Sequence, residues 1–233
     1  MAIYAIGDLH FSGLPPTKSM EVFGAYWLNH REKVIKSWQE TVQPEDTVVL
    51  CGDTSWSMDL PSALKEDLTT IISLPGHKVL LKGNHDYWWT SLTKMTETTE
   101  NKLHFLHNNA YFTGKIAICG TRGWNLPSLL TFTPHDEAIY TREAMRLETS
   151  LQLAKKEGAT NIIVALHYPP LYKAEDDSLF TALCEKYGVA TCIYGHVHGD
   201  AARHLELFQG EKNGTNYQLV AADYLDFKLL KIL

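Results

Sequence analysis

The sequence predicts an α/β fold in which two β-sheets face each other and helices cover their outer sides. Short runs of apolar, β-branched residues alternate along the chain with segments that have the apolar spacing of helices. Further short strands are predicted close together in the middle of the chain, and two more near its C-terminal end. That number of strands indicates two sheets, and the alternation of strands and helices indicates a layered domain.

Five of the predicted strands are continuous apolar runs, which is typical of strands that are covered on both faces. We therefore expect them to form the interior of the sheets. In chain order they are Ala2–Ile6, Thr47–Cys51, Lys78–Leu81, Asn161–Leu166 and Thr191–Tyr194.

Four segments have the pattern of amphipathic helices, with apolar residues on one face and charged residues between them. Pro61 is acceptable in the first turn of the second segment, and Gly158 is a suitable stop for the third. The four segments are Glu21–Val42, Met58–Leu74, Asp136–Lys156 and Ser178–Tyr187.

Residues 102–120 interrupt this alternation, because their apolar residues form successive short strands joined by turn residues such as Asn108 and Gly114. Two C-terminal strands are predicted over Tyr217–Ala222 and Phe227–Ile232. Three less regular segments are predicted to be surface loops. They are Phe11–Met20, Thr121–His135 and Tyr172–Asp177.

The composition is that of one globular domain that is poorly suited to bind a large anionic partner. With 233 residues and 45% hydrophobic content, the chain can bury a full core, and we expect a single domain over residues 1–233. The formal net charge is −6, and no cluster of Lys and Arg is evident that could neutralise a row of phosphates. A long nucleic acid is therefore an unfavoured partner.

The sequence also indicates a soluble cytoplasmic protein. Cys51, Cys119, Cys184 and Cys192 are dispersed and form no Cys-x-x-Cys pair, so we expect reduced thiols in the core. The N-terminus lacks the basic and apolar regions of a signal peptide. The longest apolar runs are far shorter than the roughly 20 residues that cross a bilayer, so we expect no membrane association.

Polar side chains that can bind metal ions follow each of the five buried strands. In open α/β sheets, ligand sites form beyond the carboxyl ends of the strands, so these side chains should meet in one cleft. They are Asp8 and His10 after the first strand, Asp53 after the second, Asn84, His85 and Asp86 after the third, His167 after the fourth, and His196 and His198 after the fifth.

The types of ligand at these strand ends indicate which metals would bind. Carboxylates, an amide oxygen and imidazoles suit Mn²⁺, Fe or Zn²⁺, of which we favour Mn²⁺, and no Cys is present to form a thiolate site. The ligands are too many for one ion. Two divalent metal ions about 3.5–4 Å apart, as in two-metal hydrolases, would use them fully.

The ordered motifs at these strand ends resemble the complete signature of the calcineurin-like metallophosphoesterases. The resemblance spans positions 7 to 198 and implies a four-layer α-β-β-α sandwich, with two mixed β-sheets flanked by helices. The motifs are Gly7, Asp8, Leu9 and His10; Gly52 and Asp53; Gly83, Asn84, His85 and Asp86; His167; and Gly195, His196, Val197 and His198.

The resemblance implies a role for each residue at the strand ends. Two sets of ligands would each hold one metal ion, and one carboxylate would bridge both ions. The first set is Asp8, His10 and His198, the second set is Asn84, His167 and His196, and the bridging residue is Asp53. His85 would face the substrate without being a permanent ligand, and Asp86 would orient His85.

The chemistry of phosphate ester hydrolysis explains why such residues are needed. Two cations that share a carboxylate can also share a water, whose pKa falls towards neutrality, so that a bridging hydroxide attacks the phosphorus. The leaving group still needs a proton. His85 could supply it as a general acid, while Asp86 could stabilise the protonated ring.

Three further residues are candidates for binding the substrate. Arg122 could reach a substrate phosphate and Trp124 an organic group, although an ordinary surface loop explains both equally well. Trp88 belongs to an aromatic cluster with Trp56, Tyr87 and Trp89 that could line the cleft, with core packing as the alternative. The remaining histidines are interpreted as solvated or hydrogen-bonded side chains. These are His30, His77, His104, His107, His135 and His204.

We expect a phosphoesterase that acts on a small phosphomonoester or phosphodiester. One alternative is a nuclease acting on single-stranded or short nucleic acid, although the acidic charge balance disfavours it. The other is a catalytically silent protein-binding scaffold of the same fold. The physiological substrate depends on loops whose conformation the sequence does not fix, and the oligomeric state leaves no recognisable pattern.

Overall fold

The computed structural model describes residues 1–199 and 207–233, which leaves His204 outside the described residues. It contains two mixed β-sheets, one of five strands and one of six. Both sheets are built mainly of parallel strands with an antiparallel strand at one or both edges. The predicted α/β class with two mixed sheets is therefore confirmed.

The first sheet contains the first four strands of the chain and the last one. Its order is β11-β1-β2-β3-β4, with β1 to β4 parallel and β11 antiparallel to β1. The strands are β1 (Ile3–Ile6), β2 (Thr47–Leu50), β3 (His77–Leu80), β4 (Leu103–Phe105) and β11 (Leu230–Lys231). The last of these is shorter than the predicted strand over Phe227–Ile232.

The second sheet has the order β5-β6-β7-β8-β10-β9, with its four central strands parallel and both edge strands antiparallel. The strand β9 was not predicted from the sequence. The strands are β5 (Ala110–Thr113), β6 (Ile116–Thr121), β7 (Asn161–Leu166), β8 (Thr191–Tyr194), β9 (Gly210–Lys212) and β10 (Thr215–Leu219).

Alternate residues of each strand face different apolar layers, as the pleat of a strand requires. In β1, Ile3 and Ala5 pack between the two sheets, whereas Tyr4 and Ile6 pack on the side of the helices. The central strand of the second sheet repeats this pattern. There Ile163 and Ala165 lie between the sheets, and Ile162, Val164 and Leu166 lie on the outer side.

Helices cover the outer face of each sheet and so complete four layers. Trp38 of α1 (His30–Thr41) lies in the outer core of the first sheet, and Leu147 of α5 (Pro134–Lys156) lies in that of the second. Two shorter helices are α4 (Leu92–Thr98), which was not predicted, and α6 (Leu179–Tyr187).

Two of the predicted helices are less regular than their apolar spacing indicated. The prediction of one helix over Glu21–Val42 is wrong in its first half, where two 3₁₀ turns, Met20–Phe23 and Ala25–Trp27, precede α1. Gly24 (φ 137°) and Asn29 (φ 55°) separate them, because neither backbone angle continues a right-handed helix.

The segment predicted as a helix over Met58–Leu74 is observed with a π-helical centre. It consists of α2 (Leu60–Ala63), a π-helical turn over Leu64–Leu68 and α3 (Thr69–Ser73). Asp59 caps its N-terminus by accepting a hydrogen bond from the Ser62 N–H.

The four cysteines are free and buried, in agreement with the prediction of core thiols without disulfides. Among the described residues, no helix combines the length and the apolar character needed to cross a bilayer.

Candidate metal centre

The loops that follow the central strands turn sharply and bring the predicted metal ligands together. Asp8, His10, Asp53 and His196 all have backbone φ angles between 48° and 73°, in the left-handed region. Such angles are uncommon for residues other than glycine, and they concentrate at functional sites where the surrounding structure holds the strain. The sharp turns lie at the carboxyl ends of β1, β2 and β8.

The first group of candidate ligands, called the first ligand group, consists of Asp8, His10 and His198. One potential ligand atom from each residue lies within 4.8 Å of the other two. The His10 Nε2 and His198 Nε2 atoms are 3.2 Å apart. The backbone N–H of His196 donates to both Asp8 carboxylate oxygens, at 3.1 and 2.9 Å, and so fixes the position of this side chain.

The second group consists of Asn84, His167 and His196. Asn84 Oδ1 lies 2.6 Å from His167 Nε2 and 3.0 Å from His196 Nδ1, and these two nitrogens are 3.2 Å apart. Three ligand atoms from the ends of β3, β7 and β8 therefore surround one point. Both sheets contribute to it, since β3 belongs to the first and the other two to the second.

Asp53 lies between the two groups. Its Oδ2 atom is 3.8 Å from His10 Nε2 and 3.6 Å from His167 Nε2. This oxygen is buried and has no hydrogen-bond partner, whereas Oδ1 accepts a hydrogen bond of 2.7 Å from the His85 backbone N–H. A buried carboxylate oxygen without a partner is costly, which indicates that it faces a cation.

The orientation of His167 provides a second indication of a cation. Its Nδ1 lies 3.0 Å from the Cys51 carbonyl oxygen, which only accepts hydrogen bonds, so Nδ1 carries the proton. Burial lowers the pKa of His167 to about 3, so the ring is neutral and Nε2 presents a lone pair. That lone pair faces Asn84 Oδ1, and two acceptors in contact fit a shared cation.

The other imidazoles of the centre are also held neutral, which is the form that binds metals. Burial, reinforced by the neighbouring imidazoles, lowers the pKa of His196 to about 2 and that of His10 well below its usual value. Burial also lowers the pKa of His198, although the Asp223 carboxylate opposes this effect.

The pKa values of the acidic side chains in the centre shift in the opposite direction, towards higher values. Burial raises the pKa of Asp53 to about 6. Burial and the charge of Asp53 raise the pKa of Asp86 to about 7 and that of Asp8 well above its usual range. Divalent cations would stabilise the ionised carboxylates, so the ligand set fits such ions.

Two glycines make room for this arrangement. A side chain at Gly83 would collide with the Asp53 carboxylate, and one at Gly52 would lie 2.7 Å from His167 Nδ1. Gly52 also has a φ of 88°, which disfavours other residues. Glycine at these two positions therefore permits the close approach of the loops that carry Asp53 and Asn84.

Asp86 does not orient His85, and that prediction is wrong. The Asp86 carboxylate is buried and accepts five hydrogen bonds, none of them from the His85 ring. Four donors are backbone N–H groups and the fifth is the Trp88 indole. The backbone donors belong to Asp53, Thr54, Ser55 and Gly83, at 2.8–3.2 Å. Asp86 therefore fixes the two loops that carry Asp53 and Asn84.

The predicted contact of Trp88 with the substrate is also wrong, because this side chain is buried. Its side chain is 1% exposed, and its indole N–H donates to Asp86 at 2.9 Å. Trp88 therefore belongs to the core and helps to hold the Asp86 carboxylate.

Replacing Asp86 by Asn is expected to destabilise the fold by about 3 kcal/mol, because the new NH₂ group would face N–H donors and leave at least two unsatisfied. Urea unfolding monitored by circular dichroism measures this loss. The matched control is Trp88→Phe, which removes one donor and should cost about 1 kcal/mol. Equal losses for the two variants would show that the five hydrogen bonds do not define the role of Asp86.

His85 lies at the mouth of the centre and is half-buried. The centre of its ring is 4.5 Å from that of Trp56 and 5.9 Å from that of His10. Its Nδ1 atom has no hydrogen-bond partner. The ring therefore adjoins the first ligand group without belonging to it.

Arg122 and Trp124 contact each other and connect to the centre indirectly. The Arg122 guanidinium lies 4.4 Å from the centre of the Trp124 ring. Trp124 packs on Tyr168, and the Tyr168 ring lies 4.1 Å from the His196 ring. Both residues are half-buried, so a substrate at the centre could reach them through this aromatic contact.

Asp223, a buried carboxylate beside the first ligand group, was not among the predicted site residues. It accepts a hydrogen bond of 2.6 Å from the Gly199 N–H, next to His198. Its charge adds to the effect of burial, which raises the pKa of Asp8, and opposes the effect of burial, which lowers the pKa of His198. The signal was present, because Asp223 directly follows the predicted strand Tyr217–Ala222. No motif marked it, however, and the strand β10 ends four residues earlier.

A family model described as calcineurin-like phosphoesterase matches residues 1–200. This chain therefore belongs to the calcineurin-like phosphoesterase family, a class of metal-dependent phosphohydrolases, as its strand-end motifs predicted. A search of curated proteins finds no match.

Three of the solved structures that match this chain are the following. A candidate 5′-nucleotidase from Staphylococcus aureus, solved with α-ketoglutarate, has a TM-score of 0.52 at 15% identity; the alignment covers 94% of this chain but only 48% of that protein. The calcineurin-like phosphoesterase YfkN from Bacillus subtilis has a TM-score of 0.50 at 16% identity, covering 94% and 80%. The protein of unknown function AQ665 from Aquifex aeolicus has a TM-score of 0.49 at 15% identity, covering 99% and 95%. At these identities the first two likenesses concern the fold alone.

Proposed function

We propose that this protein is a phosphoesterase with a dinuclear metal centre that hydrolyses a small phosphomonoester or phosphodiester. The observation that carries the proposal is the unpartnered Asp53 Oδ2, which lies between two groups of buried ligand atoms. Asp8, His10 and His198 would hold one ion and Asn84, His167 and His196 the other. Asp53 would bridge the two.

Divalent ions bound there would lower the pKa of a water to supply the nucleophile and would neutralise the phosphate charge. The chain contributes the remaining functions. The Asp86 carboxylate and the sharp turns hold the ligands in place, so that little reorganisation accompanies the reaction. His85, at the mouth of the centre, would donate a proton to the leaving oxygen from its ring. Arg122 and Trp124 would contact the substrate beyond the scissile ester.

The nature of the ligands also supports a choice of metal. Imidazoles combined with carboxylates and an amide oxygen, without thiolate, suit Mn²⁺, Fe or Zn²⁺, and we propose Mn²⁺. We further propose a cytoplasmic location, because four free buried thiols suit a reducing compartment.

The test is metal analysis of protein purified without chelator, combined with an activity screen in the presence of Mn²⁺. We expect two transition-metal equivalents per chain and turnover of 4-nitrophenyl phosphate or bis(4-nitrophenyl) phosphate. Protein without bound metal and without Mn²⁺-stimulated turnover would instead support a protein-binding scaffold. Faster cleavage of single-stranded DNA than of both small esters would identify a nuclease.

A further inference from the structure

A basic pocket lies at the carboxyl ends of β3 and β6, where the candidate metal ligands also follow their strands. It is a cavity of about 260 Å³, with walls formed by both sheets and by α5. Five of its lining side chains are basic and one is acidic. The basic side chains are Lys82, His107, Arg122, Arg142 and Arg146, and the acidic one is Glu143.

The single carboxylate is shared among three guanidinium groups. Glu143 Oε1 lies 2.8 Å from Arg146 Nη1, 3.7 Å from Arg142 Nε and 4.0 Å from Arg122 Nη2. Its other oxygen accepts a hydrogen bond from the Thr121 hydroxyl. Glu143 is only 1% exposed, so it serves as the floor of the pocket.

The charges that line the pocket do not balance. Three arginines and Lys82 carry four positive charges against one negative charge from Glu143, which leaves an excess of three with His107 neutral. Burial lowers the pKa of Arg122, and the nearby Arg142 and Arg146 lower it further, although Glu143 opposes them. Cations brought together in this way favour a bound anion, which removes their mutual repulsion.

The pocket and the second ligand group are linked through neighbouring backbone. Lys82 precedes Asn84 by two residues in the loop after β3. The Arg122 carbonyl accepts hydrogen bonds from the backbone N–H groups of His167 and Tyr168, at 3.0 and 2.9 Å. A molecule whose ester lies at the metal centre could therefore extend into the pocket.

We propose that the basic pocket binds a second phosphate group of the substrate, so that the substrate is a small molecule with two phosphate groups. The proposal rests on the phosphoesterase function proposed above. The excess of three positive charges favours a doubly charged phosphate over a carboxylate, and guanidinium groups bind phosphate oxygens in pairs. Arg142 and Arg146, whose side chains are 53% and 33% exposed, leave the pocket open to solvent.

The first test measures binding of inorganic phosphate to the full-length protein after its metal ions and the chelator have been removed. Titration calorimetry should detect one phosphate site. Arg142→Gln and Arg146→Gln should each weaken phosphate binding about tenfold, because each removes one charge-assisted contact. The matched control is Lys155→Gln, the same charge change at an exposed position of α5, which should stay within about twofold. Thermal unfolding verifies that the variants are folded.

The second test uses Mn²⁺-loaded enzyme and pairs of substrates that differ by one phosphate group. The wild type should prefer the member with two phosphates, and Arg146→Gln should reduce that preference in kcat/KM about tenfold while Lys155→Gln preserves it.

Absence of phosphate binding, or equal binding by wild type and both arginine variants, would overturn the proposal, as would a substrate preference that Arg146→Gln leaves intact. The first test needs no catalysis. Phosphate binding that depends on the arginines in a protein without hydrolytic activity would therefore refute the phosphoesterase and retain the pocket.

Discussion

Asp53→Asn should remove bound metal and phosphoesterase activity together. Asp53 Oδ2 is the oxygen that lies between both ligand groups, and asparagine has nearly the same shape but no negative charge. Loss of that charge should weaken metal binding at least about a hundredfold. The activity should fall about a thousandfold, as when a major electrostatic contribution to the transition state is lost. Metal content after dialysis and kcat/KM for a small aryl phosphate measure the two effects.

A matched control lies at the opposite end of the same strand. Asp46 precedes β2, is buried, and accepts hydrogen bonds from the backbone N–H groups of Ala2 and Gln43. Asp46→Asn makes the same chemical change away from the metal centre, so it should lower stability but leave the metal content intact. Retention of two metal equivalents by Asp53→Asn would contradict a bridging role for this carboxylate.

The positions of the candidate metal ligands were predictable because they depend on features that one sequence contains. Continuous apolar runs identify the buried strands, and parallel strands in a layered fold expose their carboxyl ends at one edge. The residues that directly follow those runs must then be neighbours. His10 and His198 are 188 positions apart in the chain, yet their Nε2 atoms are 3.2 Å apart.

The errors arose where the partner of a side chain depends on loop conformation. Asp86 follows His85 in the sequence, which favoured a pair between them, but the carboxylate turns instead towards four backbone N–H groups of two loops. The apolar spacing of Glu21–Val42 likewise fits a helix, yet the left-handed backbone of Asn29 breaks it. Apolar periodicity does not encode either outcome.

The basic pocket was invisible in the sequence for a related reason. Arg122 follows β6, whereas Arg142, Glu143 and Arg146 lie on α5, and no local cluster of basic residues reveals their proximity. The helix was predicted well, since its apolar face and the stop at Gly158 are local signals. Its position against β6 depends on the packing of the apolar layer between α5 and the second sheet, which is a tertiary property.

His85→Ala should retain the bound metal and should slow turnover by a factor that depends on the leaving group. The ring belongs to neither ligand group, so removing it should leave two metal equivalents per chain. A lost general acid costs about 10²–10⁴-fold for an alkoxide leaving group, which needs a proton as the bond breaks. Nitrophenolate leaves as a stable anion and needs little such help, so the rate for 4-nitrophenyl phosphate should fall by less than about tenfold.

The comparison of the two leaving groups separates proton donation from substrate binding. His85→Asn is the matched variant, because its amide can still form a hydrogen bond to a phosphate oxygen but cannot donate a proton at neutral pH. If His85 only binds the phosphate, both variants should raise KM similarly for all esters, and asparagine should restore part of the loss. Proton donation instead requires kcat to fall most for alkyl esters in both variants. Equal slowing of nitrophenyl and alkyl esters would therefore refute the general-acid role and leave His85 as a binding residue.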